Sequence, residues 1–352
     1  MNAVALLREL VAIDSTSARS NQPVLDVLER HARALGFQTR RQSYRDKANL
    51  ICNRGGEQGG LALVGHTDCV PFDAAWEGAL RPEERDGKLY GRGSADTKAF
   101  LAAALAAASR TSRGPLQLVF TADEEIGCLG ARKLQEEGAL RPRYAIVGEP
   151  TRLIPVLGHK GYCLAEVIVR GAEGHSAYPE TGRSAIFAAG RMLGAIERVG
   201  VELQADRDEQ FSPPYTTLNV GLISGGKAKN VIPGACSFTL EWRPLPSQEP
   251  EHVLRQIQAL GMGEVAVQRL DRGILQSRNS SLVEFLRAQT GNEPETIPFG
   301  TELPYLAALG AEACVFGPGD IRVAHRTGEF VPLDQLQKAV DILTAAIDRF
   351  GA

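Results

Sequence analysis

Four short apolar runs, each followed by a loop that carries a histidine or a glutamate, constrain the fold of this chain most. The runs are typical of strands buried on both faces of a parallel sheet. In open α/β sheets, sites form beyond the carboxyl ends of such strands. The chain is therefore predicted to bring the side chains of four loops to one edge of a sheet. The runs are 61–64, 116–120, 144–147 and 313–316.

Two histidines and three carboxylates are the side chains expected at that edge. His66, Glu125, Glu149 and His325 follow the four runs in that order. Asp96 precedes an Ala-rich helix, whose N-terminal dipole favours a carboxylate at that position. Imidazole nitrogens and carboxylate oxygens suit Zn²⁺, Co²⁺ or Mn²⁺. The set therefore predicts a site for two metal ions, bridged by one carboxylate.

Glu124, beside Glu125, is the additional carboxylate that a hydrolytic site needs to shuttle a proton. Each segment alone is a weak signal, because an Asp-Glu-Glu run is more often a solvated acidic turn and a lone histidine is more often packed in a core. The complete set, in order along the chain, favours the metal site.

Composition limits the class of protein. A length of 352 residues predicts two domains, or one large domain with an insertion. A net charge of −3, without basic runs interleaved with aromatics, predicts no nucleic-acid partner. The longest apolar run, Ala99–Ala108, is too short to span a bilayer, so no membrane partner is expected. An amphipathic N-terminus and six cysteines without Cys-x-x-Cys spacing favour a cytoplasmic protein.

The order of predicted elements indicates an inserted domain. The first part alternates helix and strand, as βαβ units do, and that pattern returns near the end of the chain. The middle part has the order ββαββαβ, beginning with 153–157 paired to 162–170, which predicts an α+β unit with an antiparallel sheet. The fold class is therefore α/β with a mixed, mostly parallel sheet. The expected bounds are 1–153 and 273–352 for the metal-binding catalytic domain and 154–272 for the inserted unit.

Six segments, taken in order, resemble the M20 metallopeptidase superfamily. The resemblance extends from about residue 48 to 350, and within the superfamily it is greatest to the acetylornithine deacetylase group. Thr97 departs from the pattern, since members often carry Met there. The segments are Gly-His-Thr-Asp (65–68), Gly-Arg-Gly-Ser-Ala-Asp-Thr-Lys (91–98), Thr-Ala-Asp-Glu-Glu (121–125), Gly-Glu-Pro-Thr (148–151), Gly-His-Ser-Ala (174–177) and Gly-Pro-Gly…Ala-His (317–325).

The resemblance implies a zinc-peptidase-like catalytic domain that holds two divalent metal ions. These are expected to be Zn²⁺, for which Co²⁺ can substitute. Asp96 would bridge the two ions. Glu149 is a glutamate, as in deacylases and carboxypeptidases rather than aminopeptidases. The implied ligands are His66, Asp96 and Glu149 for one ion, and Asp96, Glu125 and His325 for the other.

Further roles follow from the same resemblance. Glu124 would be the general base and acid, and Asp68 would accept a hydrogen bond from His66 and fix its tautomer. In the inserted lid or dimerisation domain, His175 would reach the oxyanion, in several members that of the partner subunit. Arg243 and Asn230 would hold the substrate carboxylate, and a guanidinium fork suits that task.

The implied activity is removal of the acetyl group from N²-acetyl-L-ornithine, in arginine biosynthesis, by a homodimer joined through the inserted domain. Thr301 and Glu302 are the remaining substrate-contact candidates, with Glu302 expected at the cationic δ-amine. Several alternatives stay open: N-acetyl-L-citrulline or another N-acyl amino acid as the substrate, or a dipeptidase or carboxypeptidase of the superfamily. A non-catalytic binding protein is a further alternative, against which the presence of Glu124 argues.

Overall fold

The computed structural model of the chain describes residues 1–56 and 58–351. None of the helices in these segments is long and apolar enough to cross a membrane. The chain forms two compact units. The first comprises Met1–Leu157, Gln276–Glu295 and Thr301–Ala352, and the second Gly158–Leu275 and Thr296–Gly300.

The elements of the described residues follow in chain order. The α-helices are Ala3–Val11 (α1), Gln22–Ala34 (α2), Lys98–Ala108 (α3), Leu129–Glu136 (α4), Ala185–Glu202 (α5), Glu251–Ala259 (α6), Ser281–Thr290 (α7), Leu303–Ala308 (α8) and Leu333–Phe350 (α9). The strands are Gln38–Tyr44 (β1), Lys47–Arg54 (β2), Leu61–His66 (β3), Glu83–Arg85 (β4), Lys88–Tyr90 (β5), Leu116–Thr121 (β6), Tyr144–Val147 (β7), Val156–His159 (β8), Tyr162–Arg170 (β9), Gly174–His175 (β10), Thr217–Gly225 (β11), Val231–Ile232 (β12), Ala235–Arg243 (β13), Glu264–Asp271 (β14), Ile274–Leu275 (β15), Glu295–Ile297 (β16), Glu312–Val315 (β17) and Phe330–Pro332 (β18).

The large sheet of the first unit has four parallel strands at its centre. They lie in the order β6, β3, β7 and β17. On one side, β2 pairs with β6 and β1 pairs with β2, both antiparallel, and on the other side β8 is antiparallel to β17. The predicted mixed, mostly parallel sheet is therefore confirmed. The four parallel strands end at the same edge, which is where the predicted site residues begin.

Helix α3, which begins two residues after Asp96, places Asp96 at that edge. All eleven of its residues are buried, as expected for a short helix that is apolar on every side. It packs so closely on the strand exits that a Cβ atom on Gly148 would lie 2.1 Å from the Phe100 ring. A Cβ on Gly65 would lie 2.8 Å from a methyl group of Leu101. Glycine at both exits is what lets the helix start beside the strand ends.

The second unit contains a four-stranded antiparallel sheet in the order β11, β13, β9 and β14. Helices α5 and α6 contribute Met192 and Ile257 to a core that also contains Phe238 and Trp242 from β13. The order βαββαβ, with β9 and β13 central, is the split βαβ arrangement. The predicted antiparallel α+β unit is therefore confirmed in its fold class. Its role as a lid or dimerisation domain stays a prediction.

One predicted strand pairing is wrong. Residues 153–157 were expected to pair with 162–170, but β8 pairs with β17 and β15. Both edges of β9 are occupied, by β13 on one side and β14 on the other. Sequence proximity favours a hairpin here, whereas the longer alternating strand β13 offers β9 a more extensive antiparallel partner.

Candidate metal centre

Asp96 lies between two histidines, with one carboxylate oxygen towards each. Its Oδ1 is 3.1 Å from Nε2 of His66, and its Oδ2 is 3.2 Å from Nε2 of His325. The same nitrogen of His325 is 3.1 Å from Oε2 of Glu125. A carboxylate that divides its two oxygens between two imidazoles has the geometry required of a bridging ligand.

The structure brings together two groups of potential ligand atoms that share Asp96. His66, Asp96 and Glu149 form one group, and Asp96, Glu125 and His325 form the other, with the ligand atoms of each group within 4.8 Å of one another. The first group is buried, whereas the His325 side chain in the second is 51% exposed. These are the two sets expected from the sequence, although the binding of ions by them stays a proposal.

The carboxyl groups of the site lie close together, with too little nearby positive charge to stabilise all of them in the ionised form. Burial and the charge of Asp96 raise the pKa of Glu149 well above its usual range, and the same two causes raise the pKa of Glu125. Burial, assisted by the charge of Glu125, raises the pKa of Glu124 to about 8. Each of these groups therefore resists ionisation unless a cation lies near it.

The pKa values of the two histidines are also raised, which favours their positively charged forms. Burial alone would lower the pKa of His66, but a hydrogen bond to Asp96 and the charge of that carboxylate raise it well above its usual range. Hydrogen bonds to Asp96 and Glu125 raise the pKa of His325 to about 10. Both shifts indicate a site that is short of positive charge, which divalent cations would supply. The nitrogen and oxygen donors present fit Zn²⁺ and similar ions.

Asp68 holds the loop of the proposed general base. Its Oδ1 accepts the backbone N–H of Glu124 at 3.0 Å, and its Oδ2 accepts that of Glu125 at 3.3 Å and the Ser17 hydroxyl at 2.7 Å. Nδ1 of His66 lies 3.0 Å from the backbone carbonyl of Asp68, but 3.7 Å from its carboxylate. Asp68 therefore accepts the hydrogen bond of His66 through its main-chain carbonyl, while its carboxylate is occupied by the neighbouring loop.

Sequence reasoning missed a second anchor of the same loop. Asp123 has a left-handed backbone, with φ of +56°, and its carboxylate forms a buried ion pair with Lys47 and accepts the Tyr44 hydroxyl at 2.7 Å. The Cys128 thiol donates to Oε1 of Glu124 at 3.4 Å. The acid at position 123 was visible in the sequence, but its partners lie on the distant hairpin of β1 and β2.

The other predicted residues of the second unit lie on two of its strand pairs. His175 is in β10, paired with β12, and the backbone N–H of Ser176 donates to the carbonyl of Asn230 at 3.1 Å. Both His175 and Asn230 are exposed. Arg243 ends β13, where its Nε donates to Glu241 at 2.8 Å and its guanidinium lies 4.7 Å from the centre of the Tyr162 ring. His175 and Asn230 are thus neighbours, and Arg243 already has a carboxylate partner.

Thr301 and Glu302 lie at the start of α8 in the first unit. Oγ1 of Thr301 accepts the backbone N–H of Leu303 at 3.2 Å, so Thr301 rather than Glu302 supplies the local cap. Glu302 is 1% exposed, and neither of its carboxylate oxygens has a hydrogen-bond partner among the described residues. Burial raises its pKa to about 7, opposed only in part by the nearby Thr121 hydroxyl and the charge of His66.

Fold and site together define a class of protein. Loops at the carboxyl edge of a mixed α/β sheet combine histidine and carboxylate ligands with an adjacent acid, which is the arrangement of a metal-dependent amidohydrolase. The model of the peptidase family M20/M25/M40 matches residues 62–349. The chain belongs to this family, whose members are metal-dependent hydrolases of amide bonds, and the predicted resemblance is thereby confirmed.

Relatives of known name are similar to this chain over nearly its full length. An acetylornithine deacetylase from Myxococcus xanthus is 53% identical, with 98% of this chain and 97% of the relative covered. One from Pasteurella multocida is 34% identical, with 96% and 94% covered. Among solved structures, an M20 family metallo-carboxypeptidase from Sulfolobus solfataricus is similar with a TM-score of 0.82 at 20% identity, covering 100% of both chains. A tripeptidase from Staphylococcus aureus has a TM-score of 0.80 at 22% identity, covering 99% and 98%.

Asp96→Ala is expected to remove the carboxylate shared by both ligand groups and therefore to lower the bound metal from two ions per chain. The measurement is metal content after dialysis against a defined Zn²⁺ concentration. Asp46→Ala, at an exposed position outside both groups, is the control and should retain wild-type content. Two tightly bound ions in the Asp96 variant would show that the bridge is assigned incorrectly.

Proposed function

We propose that the chain hydrolyses N²-acetyl-L-ornithine to ornithine and acetate, with two divalent ions, Zn²⁺ or Co²⁺, as cofactors. The observation that carries the proposal is the position of Asp96 between His66 and His325, with the half-buried Glu124 close enough to His66 to interact with its charge. The substrate follows from the two relatives that bear the name acetylornithine deacetylase. The reaction would serve arginine biosynthesis in the cytoplasm, where six buried cysteine thiols suit a reducing environment.

The chemistry divides between the ions and the chain. Divalent ions held by the two ligand groups would acidify a water molecule and polarise the amide carbonyl. Glu124 accepts the proton of the attacking water and later delivers it to the leaving amine, so that the same carboxyl group acts first as base and then as acid. Asp68 and Asp123 fix the backbone of the 121–125 loop, and hence the position of Glu124.

The family resemblance assigns further proposed roles to residues of the second unit. His175 would donate a hydrogen bond to the oxyanion, a contribution of about 3 kcal/mol to transition-state stabilisation. Asn230, which lies beside His175, and Arg243 would bind the substrate carboxylate. The planar face of Arg243 is held against Tyr162, which restricts the directions in which its guanidinium can donate.

Glu124→Gln is expected to lower kcat by at least about 10²–10⁴-fold and to leave the metal content unchanged, since it removes the proton shuttle and no ligand. Both quantities are measured on the same preparation, with acetylornithine among a panel of N-acyl amino acids and dipeptides. Glu136→Gln, exposed on α4, is the matched control. Wild-type turnover in a Glu124 variant with full metal content would contradict the assignment, and a preference for dipeptides would identify a peptidase.

Glu302 is the proposed partner of the substrate δ-amine. A buried carboxylate without a partner is costly, and a cationic group next to Glu302 would provide the missing interaction. Its charge contributes to the raised pKa of Glu124, so the two carboxyl groups lie near each other. A δ-amine at Glu302 would therefore belong to a substrate that also reaches the proposed general base.

Glu302→Gln is expected to raise KM for acetylornithine strongly, at a cost of about 2–5 kcal/mol for the loss of an enclosed ionic partner. Acetylmethionine, whose side chain carries no charge, should be hydrolysed as before. Steady-state kinetics on both substrates make the test, with Glu284→Gln, exposed on α7, as the control. Equal losses on the two substrates would mean that Glu302 supports the fold of its loop and does not recognise the amine.

A second copy of the chain is proposed to pack against β11 and α5. Strand β11 is at the edge of its sheet, and it exposes 72% of Leu222 and 57% of Ile223. Phe187 and Val201 of α5 are 75% and 63% exposed. An open edge strand beside apolar side chains is a surface that a two-fold related copy can cover, because the same patch then meets itself.

Leu222→Asp combined with Ile223→Asp is expected to give a monomer, since each partner would place charged groups at the apolar edge. Light scattering after size-exclusion chromatography measures the mass at micromolar concentration. Met262→Asp, at an exposed apolar residue outside β11 and α5, is the control and should remain dimeric. A monomeric wild type, or a double variant that still dimerises, would rule out this interface.

A further inference from the structure

Glu329, a residue of the first unit that is not a predicted ligand, accepts four hydrogen bonds on its carboxylate. Its Oε1 accepts the backbone N–H groups of Ala95 at 2.9 Å and Asp96 at 3.1 Å. Its Oε2 accepts the backbone N–H of Gly93 at 3.1 Å and Nη1 of Arg92 at 2.6 Å. The residue is fully buried. Three backbone donors of one short loop therefore converge on a single side chain.

The convergence depends on the shape of the 91–96 loop. Gly93 has φ of +76°, a left-handed conformation that turns successive N–H groups towards one point, as in backbone nests that bind anions. Here the anion is a carboxylate of the same chain. Four donors face its two carboxylate oxygens. Arg92 supplies the compensating charge and is itself packed 5.3 Å from the Trp76 ring.

Glu329 also connects two loops that carry ligands of the proposed metal centre. It follows His325 by four residues, and its own carbonyl accepts the backbone N–H of Gly91 at 3.0 Å. The loop of His325 and the loop of Asp96 are thus bonded to each other through main-chain and side-chain atoms of one residue. The 3.2 Å separation of His325 and Asp96 depends on how these two loops are aligned.

We propose that Glu329 is a positioning residue of the metal centre, which sets the distance between Asp96 and His325 by clamping the 91–96 loop to the segment that follows His325. The proposal rests on the metal-dependent function argued above. It assigns Glu329 no contact with metal or substrate. Outer partners of metal ligands commonly change metal affinity by about 10–100-fold when they are replaced, and a clamp on the shared ligand should affect both ions.

Glu329→Gln tests this directly, because it keeps the length of the side chain but turns an amide N–H₂ towards backbone donors. Binding of Co²⁺ to the apoprotein is measured by calorimetry, and the d–d absorption of the bound ion reports its coordination. We expect at least about 10-fold weaker binding and a changed absorption spectrum. Unchanged affinity and spectrum would overturn the proposal. If Glu329→Gln does not fold, Glu329→Asp, which keeps the charge but shortens the side chain, is measured in its place with the same expected outcome.

Two controls separate positioning from stability. Leu28→Ala truncates a buried residue of α2 and should lower Tm without changing Co²⁺ affinity. Arg92→Met combined with Glu329→Leu replaces the buried ion pair by apolar side chains, which can restore Tm but cannot accept the backbone N–H groups. Co²⁺ affinity that recovers together with Tm in this double variant would overturn the proposal. Failure of the wild type to bind Co²⁺ would overturn the proposed function itself, a result distinct from either.

Discussion

A shortage of positive charge at the carboxyl edge of the large sheet is the constraint on which the rest of the site depends. Asp96 and Glu149 are buried there and Glu124 and Glu125 are half-buried, with two histidines among them. Two buried cationic side chains of the same unit, Lys47 and Arg92, are paired instead with Asp123 and Glu329. These two cations thus hold loops in place, and the inner carboxyl groups are left to be stabilised in their ionised form by an external cation.

That arrangement makes the backbone of the loops as important as the ligands themselves. Asp68 binds the main chain of residues 124 and 125, and Glu329 binds that of residues 93, 95 and 96. In both cases a buried carboxylate satisfies N–H groups that a loop cannot pair within itself. Like charges crowded at one edge repel one another, so the ligand atoms of each group need supports of this kind to stay within 4.8 Å. The strand ends determine where the ligand loops lie, and these two carboxylates hold the backbone of the loops in place.

The sequence predicted those parts of the fold and site that depend on interactions between residues close together in the chain. His66, Glu125 and Glu149 were predictable because each lies at the end of its strand or within four residues of it, and a strand exit fixes where its loop lies. The same local logic identified the four parallel strands and helix α3. It failed for β8, whose pairing partners β17 and β15 lie elsewhere in the chain. Glu329 was missed because its donors are 233 residues away or more, and no local pattern marks such a contact.

Glu302 shows how recognition and chemistry can be linked through electrostatics alone. Its charge is one of the causes that raise the pKa of Glu124. On the proposed function, a cationic δ-amine beside Glu302 would neutralise that charge and so lower the pKa of Glu124, leaving more of it ionised and ready to accept a proton. A neutral side chain at the same position would leave the repulsion in place. The group that identifies the substrate would thereby also prepare the base that deprotonates the attacking water, without any contact between Glu124 and the δ-amine.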